Sequence, residues 1–368
     1  MAAERKLVVD RTVHRINRLA HFPLLRRVPA ADHALFTWQN GRDYRQCPPI
    51  NLRFSGRIKF FSGQADARDG AKGMTEFAGE LSPPFEIVEP QVWRAPIIFN
   101  SPHSGSVYPA EFLDASRIDL AALRRSEDSF MDELIADLSE RGFPTVRVNF
   151  PRSYVDVNRE PYELDPRMFT GRLPSFANTR SMRVAGGLGT IPRVVGDGQE
   201  IYRERLEVDE ALRRIEVLYK PYHRALRRLI NKAHQAFGAV VVVDCHSMPS
   251  VGVSRDEPRR PDIVIGDRYG TSCAALLPDL VEEVMSSLGY SIGRNKPYAG
   301  GFITEHYGNP ASGLHTVQIE LNRAVYMDER RRERGPRFTQ MAADFATLAD
   351  ALAKIPFGDL GPFQAAAE

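Results

Sequence analysis

Ala239-Val240-Val241-Val242-Val243-Asp244-Cys245-His246-Ser247 is the stretch on which the fold turns. A short β-branched run behind a glycine reads as a strand buried on both faces, the mark of a parallel sheet. The run carries His246, followed by a serine, to its carboxyl end. A second segment repeats the arrangement: Pro96-Ile97-Ile98-Phe99-Asn100-Ser101-Pro102-His103-Ser104-Gly105. Open α/β sheets gather ligands at the carboxyl ends of such strands. Two imidazoles delivered to one edge therefore point to a metal or a catalytic pocket.

The pattern around these runs alternates strand and helix. Residues 116–142 predict one long helix, with Leu120, Leu123, Phe130, Leu134 and Leu138 as its apolar face, Gly142 as C-cap and Pro144 as a stop. Residues 145–150 read as a strand, and 151–198 as a long Arg-, Gly- and Pro-rich segment of the kind a compact domain seldom carries without using. Residues 200–237 are expected to be helical and bent near Pro221. Strands follow at 240–243, 262–265 and 315–321, and helices at 272–288 and 337–354. This order predicts an α/β domain with a mixed, largely parallel sheet over residues 74–356, then a loose tail at 357–368.

At 368 residues, 43% hydrophobic and 26% charged, the chain has the composition of a soluble globular protein. Its net charge of +2 gives no reason to expect a nucleic-acid partner. Residues 1–73 differ from the rest: 14 Lys/Arg against 6 Asp/Glu give +8, leaving −6 for the remainder. Composition changes at Met74, so the natural start is expected there, with residues 1–73 a disordered or untranslated extension. The three cysteines, Cys47, Cys245 and Cys273, form no disulfide framework or zinc knuckle, which suits a reducing, cytoplasmic setting. No secretory signal and no run of about 18 apolar residues is present, so no membrane partner is expected.

A catalytic zinc takes three protein ligands and keeps one open position. His103 and His246 supply two nitrogens, and the third ligand is sought in Glu127-Asp128. On the predicted helix Asp128 and Asp132 share an otherwise apolar face while Glu127 points elsewhere; a helix-terminal acid facing solvent would look the same. Asp244 is a candidate orienter of His246. Nucleophilic catalysis fits poorly, because Cys245 and His246 are neighbours on a strand and point to opposite faces, and no Gly-x-Ser-x-Gly elbow exists. In 315–323, Val317, Ile319 and Leu321 alternate with Thr316, Gln318, Glu320 and Asn322. That pattern fits an exposed edge strand, or a strand presenting Glu320 as the general base for water. Arg152, Asn158 and Arg159, with Arg180, Arg183 and Arg193 in the Gly-rich stretch that follows, suit a small anionic substrate.

Together these segments resemble the N-formylglutamate amidohydrolase family. The resemblance rests on Ser101-Pro102-His103-Ser104-Gly105 with Tyr108-Pro109, Asp156-Val157-Asn158-Arg159, Gly187-Leu188-Gly189-Thr190-Ile191-Pro192-Arg193, Tyr219-Lys220-Pro221-Tyr222-His223, Asp244-Cys245-His246-Ser247-Met248 and Gln318-Ile319-Glu320-Leu321-Asn322-Arg323. It runs from about residue 85 to about residue 350 and leaves 1–73 outside. It implies a three-layer phosphorylase/hydrolase-like α/β fold similar to zinc carboxypeptidases, one Zn2+, and hydrolysis of N-formyl-L-glutamate late in histidine breakdown. It implies His103, His246 and a carboxylate as zinc ligands. Carboxypeptidases place that carboxylate three residues after the first histidine, where this chain has Ser106, so Asp128 is preferred to Glu127. Glu320 would be the general base, Asn158 and Arg159 the clamp on a substrate carboxylate, and Arg193 and Arg323 the contacts for the second carboxylate or the oxyanion. Two alternatives stay open: a zinc deacylase or carboxypeptidase for another N-acyl amino acid, and a non-catalytic binder of small anions. The oligomeric state is not legible.

Overall fold

The computed structural model describes residues 79–251 and 260–362, so the expectations for residues 1–73 and for Met74 lie outside the described residues. Its centre is a seven-stranded sheet of β1 (Phe85–Val88), β2 (Ile97–Ser101), β3 (Thr145–Val148), β4 (Val240–Met248), β5 (Ile263–Gly266), β6 (Ile292–Arg294) and β7 (Leu314–Asn322). The order is β1-β3-β2-β4-β7-β5-β6. β3, β2, β4 and β7 run parallel, β1 is antiparallel to β3 at one edge, and β5 is antiparallel to β7 on the other side. The sheet is thus mixed and largely parallel, as the sequence predicts.

Strand β4 is longer than its valine run. All nine residues are buried, and they pair with β7 one for one from Val240–Leu314 to Met248–Asn322. The strand therefore continues through Asp244 and His246. The same pairing puts β7 in the middle of the sheet, so its alternation does not mark an exposed edge. Its polar positions are buried, and they need partners.

Helices are α1 (Ala110–Ala115), α2 (Leu120–Arg124), α3 (Met131–Leu134), α4 (Met182–Ala185), α5 (Val208–Arg214), α6 (Lys220–Phe237), α7 (Leu276–Ser287), α8 (Phe302–Tyr307) and α9 (Phe338–Leu352). Residues of α3, α7 and α9 pack with Val241, Val243 and Cys245 of β4 on one face of the sheet. Residues of α5, α6 and α8 pack with Val240 and Val242 on the other. The alternation of one strand thereby feeds two apolar cores.

Three expectations are corrected. The single helix over 116–142 is broken into α2, α3 and a 3-10 turn at Ala136–Leu138. Between α2 and α3 the Asp128 N–H donates to the His103 carbonyl at 3.0 Å, and Phe130 takes a left-handed φ of 65°. The apolar spacing reported burial of Leu123, Leu134 and Leu138, which three short pieces satisfy as well as one helix; Leu120 is exposed. Helix in 200–237 begins at Val208, and its irregularity is a π turn at Ile215–Tyr219 just before Pro221. Proline lacks the N–H that would bond four residues back and crowds that carbonyl, so the turn widens there. Finally, Phe357–Leu360 is packed rather than loose: Leu360 is buried and its carbonyl accepts from His315 Nε2 at 2.8 Å.

Helix α6 buries one titratable ring. His223 bonds through Nε2 to the Val157 carbonyl at 2.8 Å and through Nδ1 to Tyr307 Oη at 2.9 Å. Burial, with His306 and Arg227 adding to it, holds its pKa down at about 3. The unfolded chain accepts a proton that the folded chain refuses. This contribution is therefore complete above about pH 6.5 and is lost as the pH falls toward 3, a change on the order of 4–5 kcal/mol. Unfolding titrations from neutral to acidic pH should show the decline, and His223→Phe should flatten it; equal slopes for the two proteins would contradict the assignment.

Candidate metal centre

The sheet register builds the site. Asn100 on β2 and Gln318 on β7 both pair with Asp244 on β4, and in the next position along β4 and β7 on that face His246 lies beside Glu320. These residues occupy the face that looks toward α6, close to the carboxyl ends of three parallel strands. His103 stands two residues beyond β2. The hydrogen bond from the Asp128 N–H to the His103 carbonyl brings the loop between α2 and α3 over the same edge.

Two histidines and one carboxylate meet there. Asp128 Oδ2 lies 3.0 Å from His246 Nδ1 and 3.5 Å from His103 Nδ1. The rings are 4.7 Å apart and all three residues are buried. Each imidazole uses its far nitrogen on another buried carboxylate: His103 Nε2 donates to Asp156 Oδ1 at 2.7 Å, and His246 Nε2 to Asp244 Oδ2 at 3.0 Å. Carboxylates behind the rings fix which nitrogen carries hydrogen and leave both Nδ1 atoms facing Asp128.

The donor set fits a divalent cation. His103 Nδ1 is buried and has no hydrogen-bond partner, a cost unless something else occupies it. Nitrogen and oxygen donors about 2.0–2.2 Å from one tetrahedral ion lie roughly 3.4 Å apart. The distances of 3.0 and 3.5 Å bracket that spacing. Two imidazoles and one carboxylate, with a fourth position left for water, is a zinc-type set.

Electrostatics point the same way. Burial opposes ionisation of Asp128, but His103 and His246 beside it outweigh that and keep the carboxyl well below its usual range. Burial likewise opposes protonation of His246, yet Asp244, Asp128 and Glu320 raise it well above an ordinary histidine. Positive charge between the histidines and Asp128 is therefore favoured, whether a proton or a metal brings it. Asp156 stays well below its usual range against burial because Arg152, Arg159 and His103 surround it.

Glu127, the other candidate ligand, is otherwise engaged. It accepts from Tyr108 Oη at 2.7 Å, Arg124 Nε at 3.0 Å and Ser129 Oγ at 3.0 Å. Asp128 faces the histidines, and its second oxygen takes Ser247 Oγ and Arg323 Nη2, each at 3.3 Å. Arg323 also donates to Ser247 Oγ and the Arg125 carbonyl, so its guanidinium buttresses Asp128. Arg193 pairs with Asp165 and Glu200, and neither ion pair reaches the histidines.

Asn158 and Arg159 do come to the centre. Asn158 Oδ1 accepts from Ile303 N at 2.8 Å, which points its amide nitrogen at His246 Nε2, 3.1 Å away. A Cβ on Gly301 would stand 2.3 Å from that nitrogen, so this glycine makes room for Asn158. Arg159 donates to the carbonyls of Leu188 and Asn158 and lies 3.6 Å from Asp156. Glu320 is buried and accepts from Gln318 Nε2 at 2.9 Å. Burial pushes its carboxyl up to about 7, with Asp128 and Asp244 adding to the rise while His246 and Arg152 oppose it.

Arg152, which the sequence already groups with Asn158 and Arg159 for an anionic substrate, belongs to the same neighbourhood, together with Asp156 and Asn100, to which the sequence assigns no role. Arg152 Nη2 donates to Asp156 Oδ2 at 2.8 Å and feels the charges of Asp128 and Glu320. The legible signal was a polar residue set into an apolar strand, as with Asn100 after Ile-Ile-Phe. Cys245 points into the opposite core, where burial pushes its thiol well above the usual range, so it is no nucleophile.

Fold and site define an α/β protein with a buried His–Asp–His group at the carboxyl edge of a mixed sheet. Residues 95–327 match the family described as N-formylglutamate amidohydrolase. A protein of Pseudomonas aeruginosa named N-formylglutamate deformylase is 32% identical over 240 residues, covering 64% of this chain and 84% of that one. One of the same name from Pseudomonas putida is 30% identical over 242 residues, covering 64% and 83%. The crystal structure of N-formylglutamate amidohydrolase from Ralstonia eutropha is similar with a TM-score of 0.69 and 35% identity, over 73% of this chain and 97% of that one. The chain belongs to the N-formylglutamate amidohydrolase family.

The two neighbouring acids can be told apart by metal content. Asp128→Asn should strip the purified protein of divalent metal in elemental analysis. Glu127→Gln should keep the metal and lower thermal stability instead. Metal retained in the first variant and lost in the second would exchange their parts.

Proposed function

We propose that this protein hydrolyses N-formyl-L-glutamate to formate and L-glutamate, a late step of histidine breakdown, with one zinc ion held by His103, Asp128 and His246. The observation that carries the reading is the buried His103–Asp128–His246 group with Glu320 beside it on the next strand. The names of the relatives supply the substrate.

When bound, the metal would supply Lewis acidity toward the formyl carbonyl and make water more acidic. Glu320 then accepts the proton as water adds to the formyl carbon. Held near 7 by burial, its carboxyl can take a proton and return it around neutral pH. As the C–N bond breaks, Glu320 delivers that proton to the departing nitrogen, leaving glutamate and formate. Asp156 and Asp244 keep the two imidazoles in one tautomer throughout.

Charge selects the substrate. Arg159, with one terminal nitrogen left after its bonds to Leu188 and Asn158, is assigned to a substrate carboxylate. Arg152, bonded to Asp156 and feeling the charges of Asp128 and Glu320, suits the oxyanion or the second carboxylate. The Asn158 amide hydrogens are the neutral donors between them. Arg323 acts through Asp128, and Arg193 steadies the 160–200 segment.

Formate release from N-formylglutamate should depend on metal: a chelator abolishes it and added zinc restores it. Efficient turnover of N-acetylglutamate in place of the formyl compound would move the assignment to a broader deacylase. Glu320→Gln should retain zinc and lose roughly 10²–10⁴ in kcat; near-normal rates would remove Glu320 from proton transfer. Arg159→Ala should raise KM most for dianionic substrates, and an equal effect on neutral formamides would count against a carboxylate contact.

A further inference from the structure

One turn of helix outside the site reaches it by three separate hydrogen bonds. Tyr219 ends the π turn, and Tyr222 and His223 follow at the start of α6, three and four residues on and so on one face. Tyr222 Oη donates to Asn100 Oδ1 at 2.8 Å, and Asn100 Nδ2 donates to Asp244 Oδ1 at 2.9 Å. The other oxygen of Asp244 accepts from His246 Nε2 at 3.0 Å. Tyr219 Oη donates to the Arg159 carbonyl at 2.7 Å, and His223 Nε2 to the Val157 carbonyl at 2.8 Å.

Each link in the first path has one possible direction. A phenol donates to Asn100 only if the amide oxygen faces it, and the amide nitrogen then faces Asp244. With the amide reversed, its oxygen would confront the buried carboxylate, which can only accept. Asp244 thereby fixes which way the Asn100 amide faces, and Tyr222 anchors the amide oxygen on the far side. Asn100 in turn holds Asp244 in place for the Nε2–H of His246, and Nδ1 of that ring is left bare toward Asp128. In the second path Tyr219 and His223 hold the backbone on both sides of Asn158, and so the arm that carries Arg159.

We propose that Tyr219, Tyr222 and His223 are positioning residues with divided tasks: Tyr222, through Asn100, holds Asp244 in place behind His246, while Tyr219, with His223, sets the Asn158–Arg159 arm. This rests on the proposed hydrolase reading, because the placement of His246 matters to a metal and the arm to a substrate carboxylate.

The two tyrosines give the test, since Phe keeps the ring at either position. Zinc affinity is measured by competition with a chromophoric chelator, and KM for N-formylglutamate on zinc-saturated enzyme. Tyr222→Phe should weaken zinc binding about 3- to 10-fold, below the 10- to 100-fold typical of groups touching a ligand directly, and leave KM unchanged. Tyr219→Phe should do the reverse, raising KM with zinc affinity unchanged. Loss of one buried hydrogen bond in each case would lower Tm in both, so a merely structural role would give the two variants the same profile. Wild-type protein that binds zinc and releases formate while both variants behave alike would overturn this inference alone. Wild-type protein that does neither would overturn the hydrolase reading with it.

Discussion

Asp244 has no exposed surface and lies in the middle strand of a sheet, between two apolar cores. A carboxylate in that place is tolerable only if its neighbours satisfy both oxygens, because an unpaired buried charge is among the costliest features a fold can carry. Asn100 and His246 do so from either side. The requirement reaches outward. Asn100 needs a donor for its own oxygen, which obliges α6 to present a tyrosine, and the second nitrogen of His246 needs a positive charge shared with Asp128. Much of the polar architecture on this face of the sheet follows from settling one buried anion.

The centre as a whole is short of positive charge. Asp128, Asp156, Asp244 and Glu320 stand around two imidazoles, and Arg152, Arg159 and Arg323 are the guanidinium groups among them. With the imidazoles neutral, carboxylates exceed guanidiniums by one charge. A divalent cation reverses that sign, so the proposed metal would also prepare the centre for a dianion that it would otherwise repel. Burial of Glu320 works in the same direction, since a carboxyl near 7 keeps part of the negative charge masked at neutral pH.

Much of this was legible in the chain. Buried parallel strands announce themselves as β-branched runs, and a histidine at the end of such a run is conspicuous, so β2, β4 and both imidazoles could be read directly. The alternation of β7 was visible but ambiguous, because a polar face looks the same in sequence whether it meets water or a site; only pairing with β4 along its whole length decides. The break between α2 and α3 was hidden for a different reason. Apolar spacing reports which side chains are buried, while the loop is held by a backbone bond from Asp128 to His103 that leaves no trace in periodicity. Asp156 received no role because an irregular segment gives no face on which to place it.

Gly301 has a meaning beyond this chain. Its missing side chain is the space that the Asn158 amide fills, within 2.3 Å of where a Cβ would stand. Glycine and asparagine are thus two halves of one shape, 143 positions apart. Across related sequences the pair is expected to change together or not at all. A relative with a side chain at the glycine has given up the asparagine's placement, even if every titratable group around it is intact. For judging which distant relatives keep the chemistry, this residue without functional groups is as informative as the histidines.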